Sequence, residues 1–184
     1  MAVAEIDWDP KAHFDVQDIA LWESSLKRFL EYQPGVHDGN LSVLSRRTVE
    51  AELIEASDNK GQSAEFLRGL ITLGTRAVYV PPEVLADRGV AESDAVLFEI
   101  EATFAVTYSV KEMPSDERVA DFINWHCVHN AWPFWRQHVY DTLKRGSLPL
   151  ISIPFFSGRP KGSNTTTKAL PAAAKVPKSL TRHG

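Results

Sequence analysis

The chain has 184 residues, of which 43% are hydrophobic and 24% are charged, which is typical of a single globular domain with its own core. Residues 159–184 carry six basic and no acidic side chains. Residues 1–158 therefore contain 14 basic and 24 acidic side chains, a net charge of −10. This negative charge argues against a nucleic-acid partner. A single cysteine excludes an internal disulfide. The sequence contains no run of 18 apolar residues, so membrane insertion is not expected.

The first two segments of the chain differ in how clearly they can be interpreted. Residues 1–15 form an acidic N-terminal extension without the apolar core of a secretory signal, so we expect a cytoplasmic protein. Between residues 16 and 30, Ile19, Trp22 and Leu26 recur at helical spacing, although the same stretch could begin a strand. The pattern alone favours a helix.

A hairpin is predicted next. The segments 41–56 and 64–80 are separated by a short polar turn at residues 57–62. Two consecutive prolines end the second segment, since proline cannot donate to a strand ladder. The loop 83–93 then returns the chain.

The clearest pattern in the sequence is the alternation over residues 94–111, which predicts a long strand with one buried and one solvated face. The apolar parity runs from Val96 to Val110. On the other parity, Leu97 is the one large apolar residue, and Glu99 and Glu101 are expected to be ordinary solvated carboxylates. We therefore expect Leu97 to be exposed between charges.

From Ser115 the pattern changes to that of a helix, with acidic residues in its first turn. Pro133 is expected to kink this helix or to divide it in two, and Gly146 is expected to be its C′ glycine. An extended apolar exit follows. Residues 159–184 contain few large apolar side chains, which predicts a disordered basic tail.

The sequence offers little chemistry for catalysis. His126, Cys127 and His129 suggest a metal site or a small metal-dependent enzyme, but neighbouring helical residues point about 100° apart, so ordinary helix positions are the better interpretation. No phosphate-binding loop, nucleophile elbow or dinucleotide fingerprint occurs, so no cofactor is expected. The aromatic residues around Pro133 indicate either helix packing or an apolar groove for extended peptide.

Two stretches resemble a known family. Residues 130–136 read Asn-Ala-Trp-Pro-Phe-Trp-Arg, and residues 144–150 read Lys-Arg-Gly-Ser-Leu-Pro-Leu. Their order and spacing resemble the SecB export chaperones, over residues 16–156 as a whole and most strongly over 94–156. The resemblance implies an α+β fold, with a four-stranded antiparallel sheet backed by a long helix, in a SecB-like domain at 16–158. It also implies that residues 16–30 form a strand.

The resemblance carries an expected function as well. It implies an ATP-independent holdase for non-native, extended polypeptides in export through the Sec pathway, assembled as a homotetramer, and not an enzyme. A dedicated chaperone of one client, such as the antitoxin of a toxin–antitoxin pair, is the alternative within this class.

Two groups of site residues follow from the resemblance. Leu97 and Glu99, with Glu101, match a sheet face that contacts the motor SecA, but Ser25 and Phe29 stand where acids of the first strand are expected. The candidates for the client groove are large apolar residues of the helix and its exit, namely Trp132, Phe134, Trp135, Leu148, Ile151, Ile153, Phe155 and Phe156.

Overall fold

The computed structural model describes residues 8–57, 63–80 and 95–156. Within these ranges the chain forms four strands, β1 (Phe14–Arg28), β2 (Leu41–Ser57), β3 (Ser63–Tyr79) and β4 (Val96–Val110). They are followed by helix α1 (Asp116–Phe122), a π-helical segment (Ile123–Cys127) and helix α2 (Val128–Arg145). Most of the predicted polar turn, the loop 83–93, the basic tail and the first seven residues lie outside the described residues.

The strands form one antiparallel sheet in the order β1-β4-β3-β2. The predicted hairpin is confirmed, because β2 and β3 pair without a register shift from Leu41↔Tyr79 to Ser57↔Ser63. The long strand predicted from alternation becomes β4 and lies between β3 and β1. A four-stranded antiparallel sheet with a helical layer confirms the predicted α+β class.

Residues 16–30 lie mostly in strand β1, so the helix favoured by their pattern is wrong and the strand implied by the resemblance is correct. The register of β1 against β4 shifts between Val16 and Asp18 and again between Leu21 and Glu23. Each shift inserts a residue without a partner and reverses the parity of the residues that follow. This explains why the apolar residues of β1 do not alternate and resemble a helical stripe instead.

The helices cover one face of the sheet, which we call the helix face. The opposite face carries no helix, and we call it the open face. The core lies beneath the helices, where Phe98, Ile100 and Val106 of β4 are buried together with Trp135 and Val139 of α2. The helical layer packs closely on the sheet at Gly69 of β3, where an added Cβ would lie 3.4 Å from Sγ of Cys127. A stacked pair, Phe14 and Phe122 with ring centroids 4.3 Å apart, joins β1 to the end of α1.

The predicted division of the helix at Pro133 is wrong. Pro133 lies inside α2, and the irregular turn is the π-helical segment that precedes α2. A proline removes one backbone hydrogen bond, but burial of Ala131, Trp135 and Val139 against the sheet holds the turns on either side of it. None of the helices in the described ranges is long and apolar enough to cross a membrane.

Helix α2 ends where it was expected to end, but a different residue adopts the left-handed conformation that terminates it. The left-handed residue is Ser147, with φ of 50°, and not Gly146. The amides of Ser147 and Leu148 donate to the carbonyls of Lys144 and Leu143, which is the pattern of a Schellman motif. A Cβ on Gly146 would lie 3.1 Å from the carbonyl oxygen of Thr142 and 3.2 Å from the guanidinium of Arg28, so a larger residue there would require these neighbours to shift.

Candidate functional site

An aromatic cluster lies on the side of α2 that faces β2. It consists of Trp125, Trp132 and Phe156, and the Phe156 ring centroid lies 6.1 Å from Trp125 and 5.4 Å from Trp132. Arg47 of β2 completes it, with its guanidinium carbon 5.3 Å from the centre of the Trp125 ring and 6.0 Å from that of Phe156. Burial lowers the pKa of Arg47, because desolvation disfavours the charged guanidinium.

The exit segment, residues 149–156, runs past this cluster without regular secondary structure. Nε1 of Trp132 donates to the carbonyl of Pro154 at 2.9 Å, and Nε of Arg136 donates to the carbonyl of Ile153 at 3.1 Å. Both donors bind carbonyl oxygens of the main chain, so these hydrogen bonds do not depend on which side chains the bound segment carries. The helix surface therefore has groups that can recognise an extended backbone.

The predicted client-groove residues are divided between the surface and the core. Trp132, Ile151 and Phe156 are partly buried and pack against the core, whereas Phe134 and Phe155 are exposed, Phe155 to 79%. The other three are buried in the core cluster, and a client could contact them only after that packing had opened: Trp135, Leu148 and Ile153.

Three residues of the site were not among the predicted candidates. Trp125 precedes Trp132 by seven residues, which places both on one helix face, so this spacing could have revealed it. Arg136 occurs in the stretch that resembles SecB, but no sequence pattern assigns it to a backbone carbonyl. Arg47 lies in β2, far along the chain, and its place beside Trp125 follows only from the tertiary fold.

Further apolar side chains are exposed on both edge strands. A soluble monomer rarely leaves this many large apolar residues accessible, and such surfaces commonly mark protein interfaces. They include Val16, Leu21 and Trp22 on β1, Phe29 and Leu30 after it, and Val43, Leu44 and Leu53 on β2.

The expectation of a solvated Leu97 and Glu99 is wrong. Leu97 is 1% exposed and belongs to the core cluster, and Glu99 is 4% exposed. The strand alternation fails at Leu97 because β4 has a bulge there: Val96 pairs with Val78 and Phe98 with Ala77, which leaves Leu97 without a partner.

Glu99 is covered by two arginines on the open face. It forms ion pairs with Arg46 at 3.0 Å and with Arg76, and Arg46 also pairs with the half-buried Glu101. Burial raises the pKa of Glu99, but the Arg76 hydrogen bond and the charges of Arg46, Arg76 and Lys27 outweigh it and lower the net pKa. The two predicted contact acids are therefore already paired within the chain.

The residues His126, Cys127 and His129 point in different directions. Cys127, the last residue of the π-helical segment, is fully buried, and burial raises the pKa of its thiol to about 12. Both histidines are exposed, and His126 stacks on Phe122 at a centroid distance of 5.3 Å. Among the described residues, no group of three His, Cys, Asp or Glu side chains could hold a metal ion.

Comparison with known proteins supports the fold. No protein-family model matches the sequence, and no curated protein is significantly similar to it. Among solved structures, the chain is similar to the Mycobacterium tuberculosis SecB-like chaperone Rv1957 in complex with a ChAD peptide from the Rv1956 HigA1 antitoxin. The TM-score is 0.51 and the identity 19%, over 82% of this chain and 95% of that one. The resemblance inferred from the sequence is thus confirmed for the fold.

Proposed function

We propose that this chain is a SecB-like chaperone, which binds extended, non-native polypeptide without nucleotide and catalyses no reaction. One observation carries the proposal: Trp132 and Arg136 hold an extended segment by its main-chain carbonyls beside an aromatic cluster. A surface of this kind accepts polypeptides of many sequences, as a holdase must. The similarity in fold to a SecB-like chaperone supports the same conclusion.

Apolar contacts provide most of the binding in this proposal. Each client side chain buried on the cluster would contribute about 1.5–3 kcal/mol before the cost of ordering the client. Because burial of apolar surface is not screened by salt as charge pairing is, client binding should persist at high ionic strength. It should also need neither ATP nor a metal ion.

Of the two cellular roles, service to a dedicated client fits better than general export. The solved SecB-like neighbour is bound to a peptide from an antitoxin, which makes an antitoxin segment the leading candidate for the client here. Docking of SecA on the sheet is less well supported, because Glu99 is buried and paired with Arg46 and Arg76. Export through the Sec pathway remains the second candidate. In either role we propose a cytoplasmic homotetramer.

Suppression of aggregation tests the holdase. A chemically denatured, aggregation-prone protein is diluted without ATP into buffer containing this chain, and light scattering is followed. We expect suppression near stoichiometric amounts for the wild type and a clear loss for Trp132→Ala. Tyr140→Ala, an exposed aromatic residue on the same helix, is the matched control and should retain activity. No suppression by the wild type at several-fold excess would refute the holdase.

Capture from the native host distinguishes the two roles. Purified chain is used to bind proteins from the host cytosol, and the bound proteins are identified by mass spectrometry. One dominant partner, bound through a defined segment and lost in Trp132→Ala, supports a dedicated client. A broad set of exported precursors, together with SecA, supports the export role instead.

A further inference from the structure

The exit segment occupies the surface that the proposed function assigns to clients. Phe156 fills the space beside Trp125 and Trp132, and the preceding carbonyls are bound by Trp132 and Arg136. We propose that this segment is a displaceable internal competitor: it covers the aromatic cluster in the free chain and leaves it when an extended polypeptide binds. This inference rests on the proposed function and specifies how its site is regulated.

The contacts of the segment are those that a client could reproduce. The two donors bind main-chain oxygens, which every extended polypeptide presents, and the cluster accepts a single aromatic ring. Client and segment therefore compete for the same donors and the same apolar space. Simultaneous occupancy is excluded at Phe156, whose ring lies against both tryptophans and beneath Arg47.

The segment can leave without breaking secondary structure. No main-chain group of residues 149–156 forms a hydrogen bond with another main-chain group among the described residues. Pro149 and Pro154 lack the N–H that a strand ladder requires. Ile153 is the one residue of the segment that is buried in the core cluster, and Leu150 and Phe155 are exposed. Segments with few such contacts are the ones that open locally in a native protein.

The competitor has a measurable consequence for affinity. The apparent dissociation constant for a client equals the intrinsic constant divided by the fraction of molecules in which the cluster is free. Loosening the segment raises that fraction and tightens client binding, whereas damage to the cluster itself weakens it. The sign of the change thus separates a residue that covers the site from a residue that forms it.

The experiment measures binding of a fluorescently labelled, permanently unfolded protein, reduced and carboxymethylated α-lactalbumin, to the full-length chain by anisotropy. Phe156→Ala should tighten binding by about three- to tenfold if the segment covers the cluster in most free molecules. Leu150→Ala removes an exposed apolar residue from the same segment and should leave the affinity unchanged. If Phe156→Ala does not fold, as judged by circular dichroism, Phe156→Leu serves in its place with a smaller change of the same sign.

The outcomes separate the two proposals. Tighter binding by the Phe156 variant and unchanged binding by the Leu150 variant support the internal competitor. Weaker or unchanged binding by the Phe156 variant, with normal wild-type binding, overturns the competitor and makes Phe156 either part of the client site or irrelevant to it. Absence of binding by both the wild type and the variants overturns the proposed function itself.

Discussion

Arg46 of β2 and Glu99 of β4 form a 3.0 Å ion pair across β3, the strand that separates theirs. Arg46 is in register with Gly74 of β3, where an added Cβ would lie 2.7 Å from Nε and 2.8 Å from Cγ of Arg46. The arginine side chain therefore crosses β3 through the space that this glycine leaves. A side chain at position 74 would therefore have to displace Arg46 from this path.

Substitution of Gly74 should break this arrangement. We expect Gly74→Ala to displace the Arg46 side chain and to lower the free energy of unfolding by about 1–2 kcal/mol. In an Arg46→Ala background the same change should be neutral or stabilising, because alanine is favoured over glycine in a strand by about 0.5–1 kcal/mol. Urea unfolding of the four chains gives the coupling. Equal destabilisation in both backgrounds would mean that Arg46 is not involved.

The lowered pKa of Glu99 predicts a dependence of stability on pH. Its carboxylate is stabilised in the folded state relative to an unfolded-state pKa of about 4.3. The contribution is fully present above that value and is lost as the pH falls through the lower folded-state pKa. Glu99→Gln should remove this acid-sensitive part and cost about 1–3 kcal/mol at neutral pH. Urea unfolding at pH 7 and at pH 3 measures both effects.

Glu101→Gln is the matched control for Glu99→Gln. Glu101 shares Arg46 with Glu99, but its side chain is 32% exposed, so solvent replaces much of what the pair contributes. We expect a loss of less than about 1 kcal/mol for this variant. A larger effect at Glu101 than at Glu99 would show that burial does not govern the strength of this network.

The buried position of Leu97 gives a direct test of the bulge. Leu97→Ala should lower the free energy of unfolding by about 2–5 kcal/mol, because it leaves a cavity in the core. Leu150→Ala, at an exposed leucine, should change it by less than about 0.5 kcal/mol. Similar small values for both variants would mean that Leu97 is solvated, as its parity alone predicts.

The sequence predicted the regular parts of this fold well. Strands β2, β3 and β4 follow from alternation and from the polar turn, because their pairing has few interruptions. Strand β1 could not be read in the same way, since its two register shifts remove the alternation on which such predictions depend. For this segment, the strand was predicted correctly only from the resemblance to the SecB family.

The candidate site was predictable only in part. Trp132 and Phe156 were identified, because apolar residues beside a helix end are conspicuous in any sequence. The partner of the cluster on β2, Arg47, depends on how the helix crosses the sheet, which no local pattern specifies. The burial of Glu99 likewise depends on arginines from two other strands. Contacts between distant segments are thus the part that only the structure supplies.

The thiol of Cys127 should be inert in the folded chain. It is fully buried, and its pKa is raised to about 12, so thiolate is scarce at neutral pH. Alkylation by iodoacetamide at pH 7.5 should be negligible in native buffer and complete in denaturant. Ser152→Cys, on the exposed part of the exit segment, should react rapidly under both conditions and serves as the control. Rapid native labelling of the wild type would show that the π-helical segment opens.

The exposed apolar residues predict an assembly. Leu21 and Trp22 of the edge strand β1, with Phe29 just beyond it, are each more than half exposed, which favours an interface that includes this edge. We expect size exclusion with light scattering to give a tetramer, four times the chain mass of 20.5 kDa, at micromolar concentration. Leu21→Glu should reduce that mass by placing a charge in the interface, whereas Leu150→Glu, at an exposed leucine of the exit segment outside both edge strands, should not. A wild-type monomer would rule out the tetramer, and a mass unaffected by Leu21→Glu would place the interface elsewhere.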